Sequence, residues 1–169
     1  GLDAYVKELR GDALYAAGDY TGAMAEYQAA AGSPRLPTDF TLEIKLARTY
    51  ALIGDYSTAL VAYQDIFART TSDYIKAQST YLQGYTYMTA GQADQAYTAY
   101  LYAIENYPAT YDAYLSLVEL VNAGYPVNEL ERGIIDYYAG EYGVAIAALD
   151  RYLLEPGDPA TALYFKGLC

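Results

Sequence analysis

Four stretches of the chain superimpose on one another: AGDYTGAMAEYQAA (17 to 30), IGDYSTALVAYQDI (53 to 66), AGQADQAYTAYLYA (90 to 103) and AGEYGVAIAALDRY (139 to 152). Each carries a Gly (Gly18, Gly54, Gly91, Gly140), an Ala five residues later (Ala23, Ala59, Ala96, Ala145) and, four further on, a ring or Leu (Tyr27, Tyr63, Tyr100, Leu149). Three more residues bring Ala30, Ile66, Ala103 and Tyr152. From the Ala, offsets of four and seven place these side chains on one face of an α-helix. The Gly closes the preceding helix, because it takes the left-handed conformation of a C′ position without a Cβ penalty, and Asp19 or Asp55 can cap the helix that follows. Seven places before each Gly stands another small residue, Gly11, Ala47, Gly84 or Gly133, which marks a second helix. The unit is therefore helix, turn, helix, and such a unit buries its apolar face only by stacking on its neighbours.

The turn glycines are 36, 37 and 49 residues apart. The long third interval is explained by an additional helix over 110 to 122 (TYDAYLSLVELVN), closed by AGYPVN with Asn128 as the next cap. We expect about ten antiparallel helices, at 2 to 17, 19 to 31, 39 to 53, 55 to 69, 73 to 90, 92 to 106, 110 to 122, 128 to 139, 141 to 154 and 159 to 168. No segment alternates with a period of two, so no strand is predicted. The expectation is an all-α superhelix forming one array, with repeats at about 2–34, 39–71, 73–108 and 128–156, the extra helix, and a half repeat at 159–168.

This pattern of small residue, Gly-Asp-Tyr turn, Ala, aromatic, Ala and a late Pro (Pro34, Pro108, Pro156) resembles the tetratricopeptide repeat. It departs near the start of each first helix, where the usual Trp or aromatic is replaced by Lys7, Glu43, Thr80 and the Val127/Asn128 pair. A second, weaker resemblance covers ELERGIIDYYAGEYGVAIAALDRYLLEPGDPATALYFKGL, which is similar to the helical noncatalytic region of bacterial envelope lytic transglycosylases; the catalytic Glu-bearing domain of that family is not in this sequence. That resemblance implies a noncatalytic arm facing glycan strands.

Charge and composition narrow the function. Ten Lys and Arg against 21 Asp and Glu give a net charge of -11, which opposes binding to phosphate backbones and anionic lipid. We expect no nucleic acid partner. No apolar run approaches the roughly 18 to 20 residues that span a bilayer, so no membrane insertion is expected. The chain has no His, and its single Cys169 is terminal, so neither the commonest general base nor an oriented nucleophile is available. The terminal thiol reads as a small apolar helix residue or, alternatively, as half of an intermolecular disulfide. Neighbouring acids such as Glu129 with Glu131, or Asp19 with Glu26, read as solvated faces and caps. We expect no enzyme, no catalytic residue, no metal site and no cofactor. The start at Gly1 rather than Met reads as a processed or shortened chain, which is compatible with a lost secretion signal and an extracellular or cell-envelope location; the cytoplasm is the alternative.

The 23 Tyr, against three Phe and no Trp, are the remaining signal. Tyr20, Tyr27, Tyr50, Tyr56, Tyr63, Tyr87, Tyr100 and Tyr142 occupy positions where the repeat family packs aromatics, and Tyr97, Tyr102 and Tyr107 fall on the outer face or at joints between repeats. In such arrays the first helices line the concave face. Helical spacing puts Tyr5, Glu8, Asp12, Tyr15, Thr41, Ile44, Arg48, Tyr81, Tyr85, Met88, Leu130, Ile134, Tyr137 and Tyr138 there, and the contact residues expected among them are Tyr5, Tyr15, Tyr81, Tyr85, Tyr137 and Tyr138. Flat amphipathic rings of this kind stack on sugars, proline-rich segments or other tyrosines. The family's familiar carboxylate-gripping pocket of Lys, Arg and Asn does not transfer, because those places carry Glu, Asp, Tyr and aliphatics.

The segment 158 to 169 resembles the first helix of a further repeat, with Gly167 at the small-residue position and an open apolar side of Ala160, Leu163, Tyr164 and Leu168. Either the natural chain continues past Cys169 and completes that repeat, or another molecule covers the open side; an end-to-end contact through Leu163, Tyr164, Leu168 and Cys169 would be heterologous and would propagate into a filament. The function expected is a non-enzymatic scaffold acting by protein contact, self-assembling head to tail into a tyrosine-rich extracellular filament. The alternatives are a glycan- or peptide-binding arm of an envelope transglycosylase and a monomeric adaptor for an extended peptide. The partner is thus protein, either the chain itself or a peptide, or else glycan.

Overall fold

Capping chemistry and turn glycines set the helix ends. In the computed structural model, which describes residues 2–169, the first hairpin is α1 (Leu2–Ala16) and α2 (Tyr20–Ala31), followed by α3 (Thr41–Leu52) with α4 (Tyr56–Arg69) and α5 (Asp73–Thr89) with α6 (Ala93–Asn106). A single helix α7 (Tyr111–Asn122) precedes the hairpin of α8 (Glu129–Tyr138) and α9 (Tyr142–Tyr152), and α10 (Ala160–Leu168) ends the array. Every predicted helix end lies within two residues of the observed one. The turn glycines Gly18, Gly54, Gly91 and Gly140 have φ of 82°, 87°, 75° and 82°, the left-handed region that favours Gly at a C′ position. Asp19 and Asp55 accept the backbone N–H groups of Gly22 and Thr58 at 2.9 and 3.2 Å, and Asn128 accepts that of Leu130 at 2.8 Å. Each thereby satisfies a helix donor that has no intrahelical partner. Gln92 and Glu141, in the same position of the other two repeats, make no side-chain cap. Helix α3 starts two residues later than the sequence suggests, since the Asp39 carboxylate accepts the Thr41 N–H at 3.1 Å and leaves Phe40 outside the helix as a buried anchor.

The small residue of each first helix has a steric cause. A Cβ on Gly11 would lie 2.5 Å from the Tyr27 ring, one on Gly84 2.5 Å from the Tyr100 ring, and one on Gly133 2.5 Å from Leu149. The bulky residue of the second helix therefore crosses directly over the backbone of the first. Tyr27, Tyr63 and Tyr100 are almost fully buried, and burial of a side chain of this size is worth about 2 kcal/mol.

Between hairpins, the core is closed by residues from the next unit. Leu42 of α3 completes the cluster of Ala23, Tyr27 and Ala30. Leu82 of α5 completes Ile44, Ala47, Ala59, Tyr63 and Ile66. Helix α7 inserts Leu117 and Leu120 beside Ala96, Tyr100 and Ile104, with Ile135 of α8 joining them. Ile44, expected on the concave face, lies instead in the core beside Phe40, because α3 turns that side toward α4 and α5. Tyr142, expected to pack, is 48% exposed with the Tyr137 ring at 5.8 Å. Among the described residues no helix is long and apolar enough to cross a membrane.

Candidate functional site

The first helices α1, α3 and α5 share a groove of about 350 Å³ whose lining includes Tyr15, Arg48, Tyr56, Tyr81, Tyr85 and Thr89. Three of the six predicted contact tyrosines meet here: Tyr15, Tyr81 and Tyr85. Tyr81 and Tyr85 sit one helical turn apart with ring centroids at 6.4 Å, and Tyr81 lies 6.0 Å from the buried Tyr100 ring. Tyr15 is braced edge-on by Tyr20 at 5.3 Å and has the Arg48 guanidinium 5.7 Å over its face. Arg48 is exposed. Its neighbour Lys45 is taken up by Glu8 and Asp12, both at 2.8 Å, whereas Arg48 has the Tyr15 ring against it. Burial raises the Asp112 carboxyl above its ordinary range, with the Arg48 charge pulling the other way. Burial likewise pushes the Tyr81 hydroxyl up, and the Glu119 carboxylate adds to it.

Glu8 and Asp12, expected as groove carboxylates, are fasteners between the first two hairpins. Glu8 is bound by Arg35 and by Lys45, and Asp12 by Lys45 and by the Tyr27 hydroxyl, which donates at 2.8 Å. Burial alone would raise the Glu8 carboxyl, but hydrogen bonds from Lys45 and Arg35 hold it below the usual carboxylate range. The same burial, with the Asp12 bond, pushes the Tyr27 hydroxyl far up.

The other predicted contact residues lie elsewhere. Tyr5 is 59% exposed on α1 beside exposed Leu2, Val6 and Leu9. Tyr137 is the hub of a ring cluster at the far end, with centroids 5.3 Å from Tyr138, 5.8 Å from Tyr142 and 5.3 Å from Phe165. That cluster fastens α10 to α8 rather than lining the groove of α1, α3 and α5. Leu163, Tyr164 and Leu168 are 55%, 63% and 46% exposed, and Cys169 is a half-buried free thiol. A Cβ on Gly167 would meet nothing within 4 Å, so the socket filled at Gly11, Gly84 and Gly133 is empty there.

A larger cavity was missed by the sequence reading. It measures about 610 Å³ and lies between α4 and α6 with α5 as its floor, lined by Gln64, Phe67, Gln83, Tyr87, Gln95 and Tyr102 among others. Helical spacing puts Thr80, Gln83 and Tyr87 on the opposite side of α5 from Tyr81 and Tyr85. The signal was available as polar and aromatic residues recurring at offsets of three and four, which the assignment of all contacts to the concave face passed over. The acids considered for chemistry are occupied: Asp19 caps α2, Glu26 pairs with Arg10 at 2.9 Å, and Glu129 takes Arg151 through two 2.8 Å bonds. At Asp136, almost fully buried, burial raises the carboxyl to about 6 despite the Arg132 charge nearby.

Stacked antiparallel hairpins with a ring-lined inner groove define a helical-repeat array. A sequence model described as Tetratricopeptide repeat matches residues 1–40, the first hairpin and the loop after it. That match and the ten helices of the described residues support a tetratricopeptide-type repeat fold. No curated protein matches it. Repeat arrays of this type are protein-interaction scaffolds and are generally non-catalytic.

Proposed function

We propose that the chain is a non-enzymatic adaptor whose groove of α1, α3 and α5 binds an extended polypeptide segment. The observation that carries this reading is the exposed Arg48 cation, with Tyr15 against it, in the same groove as the Tyr81/Tyr85 pair, on three successive first helices. Rings held by their own packing lose little entropy on stacking against flat side chains, and a cation with only a ring against it is free to receive one carboxylate from the ligand. Selection of a random peptide display library against the purified chain tests it. Peptides bearing an acid flanked by aromatic or Pro residues are expected, and the Tyr81→Ala/Tyr85→Ala double variant loses them. A selection that yields the same peptides with the double variant overturns the groove.

A second reading has its own support. The side of α10 that carries Leu163, Tyr164 and Leu168 is exposed next to the empty socket at Gly167, and at the other end of the array Leu2, Tyr5, Val6 and Leu9 are exposed. Two apolar ends fit a head-to-tail contact between copies. Light scattering across concentration tests it: growth of mass that Leu163→Glu abolishes favours assembly, and a single monomeric mass rules it out. An envelope location, and with it the transglycosylase-arm reading, would be decided by the reading frame beyond Cys169, which a Glu-bearing lysozyme-like domain would complete.

A further inference from the structure

We infer that the outer groove between α4 and α6 is a binding site for a short, uncharged oligosaccharide, distinct from the concave peptide groove proposed above. The cavity of about 610 Å³ is of the size that holds small ligands. Its lining is unusual for this chain. Three side-chain amides, Gln64 of α4, Gln83 of α5 and Gln95 of α6, converge on it from three helices, and three rings, Phe67, Tyr87 and Tyr102, share its walls. None of the three amides is engaged by another described residue, whereas the threonines beside them are self-satisfied: Thr80 donates to the Lys76 carbonyl at 2.8 Å and Thr98 to the Asp94 carbonyl at 2.9 Å. The rings are fixed rather than loose. Phe67 and Tyr102 meet edge-on at 6.1 Å, Lys76 lies 5.7 Å over Phe67, and Tyr102 is backed by Tyr107 at 6.1 Å.

The chemistry of that lining selects its occupant. Each free amide presents both a donor and an acceptor, which matches hydroxyl and acetamido groups that are themselves both. Flat ring faces take the apolar C–H side of a pyranose. Asp94 is the one charged residue of the lining, with the Lys76 cation over the Phe67 ring at the other end, so the groove itself favours neither sign, and the net charge of -11 disfavours an anionic polymer but not a neutral one. Order along the groove follows from the antiparallel helices: Phe67 and Tyr102 stand at one end, Gln64 and Gln83 in the middle, and Tyr87 and Gln95 toward the other, as a linear ligand requires.

Titration of the full chain with chitotetraose, followed by NMR of the backbone and side-chain amides, tests the proposal. We expect shifts at Gln64, Gln83 and Gln95, with Tyr81 and Tyr85 unmoved, and a loss of affinity of roughly tenfold for Gln83→Ala/Gln95→Ala at unchanged melting temperature. Tyr102→Leu, which keeps apolar bulk but removes the ring, should weaken binding to a similar degree. Absence of amide shifts at millimolar sugar, shifts confined to the concave tyrosines, or shifts produced by an uncharged Gly-Ser peptide in place of the sugar would each overturn it. Failure of the peptide selection at Arg48 leaves this result untouched, since the two grooves use opposite sides of α5.

Discussion

The junction of α1 with α3 and the junction of α3 with α5 occupy equivalent places in the repeat and are built from different materials. In the first, Glu8 and Asp12 reach Lys45 and Arg35 across the joint, and the Tyr27 hydroxyl completes the network. In the second, Tyr63 and Leu82 close the core while Tyr15, Arg48, Tyr81 and Tyr85 are left around an open groove. One repeat geometry can thus commit its inward-facing positions to internal fastening or leave them to a ligand. Charge satisfied within the chain marks the former, and rings beside an unclaimed cation mark the latter.

Breaking a hairpin tests what both junctions stand on. Gly84→Val drives a side chain into the Tyr100 ring and is expected to cost about 2–3 kcal/mol, seen as a fall of several degrees in Tm, whereas Gly167→Val at the empty socket is expected to be near neutral. Next in size, Lys45→Met strips Asp12 of its cation and is expected to cost about 2 kcal/mol in denaturant melts, an effect that shrinks in about 1 M salt. The tyrosine junction should show no such salt dependence.

Acid separates regions by sign. The Glu8 carboxyl is depressed below its unfolded value of 4.5, so its stabilisation is present above that pH and is lost as pH falls through the folded value; melts of the parent and of Glu8→Gln should converge there. Asp136 behaves oppositely. Its folded value of about 6 stands above 3.8, so the native state binds the extra proton and stability falls as pH rises from about 4 to 6. Asp136→Asn is expected to raise stability at neutral pH by about 1–2 kcal/mol and to flatten that window. Smallest of all, Tyr85→Ala, at an exposed ring of the groove, should cost about 1 kcal/mol while weakening the selected peptides, whereas Tyr81→Ala costs more because that ring also packs against two core clusters; a large loss of stability for Tyr85→Ala alone would mean that it is core.

Helix ends and sockets were legible because each is a local event: Gly18 and Gly54 need a left-handed turn, Asp19 and Asp55 sit where a cap must be, and Gly11 or Gly84 must lie under a ring. Facing was less legible. Ile44 has the spacing of a groove residue yet is buried, because stacking rotates α3 by an amount that its own sequence does not encode. Glu8 and Asp12 pointed inward as expected, but their partners Arg35 and Lys45 are 27 and 33 residues away, and no periodicity announces a contact of that range. The outer groove escaped for a related reason. Its amides belong to three helices and read as ordinary exposed positions until those helices are laid side by side.

The phenols around Arg48 also make the groove its own lamp. With no Trp in the chain, ultraviolet emission from the free protein comes from tyrosine alone. A ligand carrying a single indole would absorb that light at close range and re-emit it at longer wavelength, so occupancy could be followed by colour without attaching a dye to either molecule.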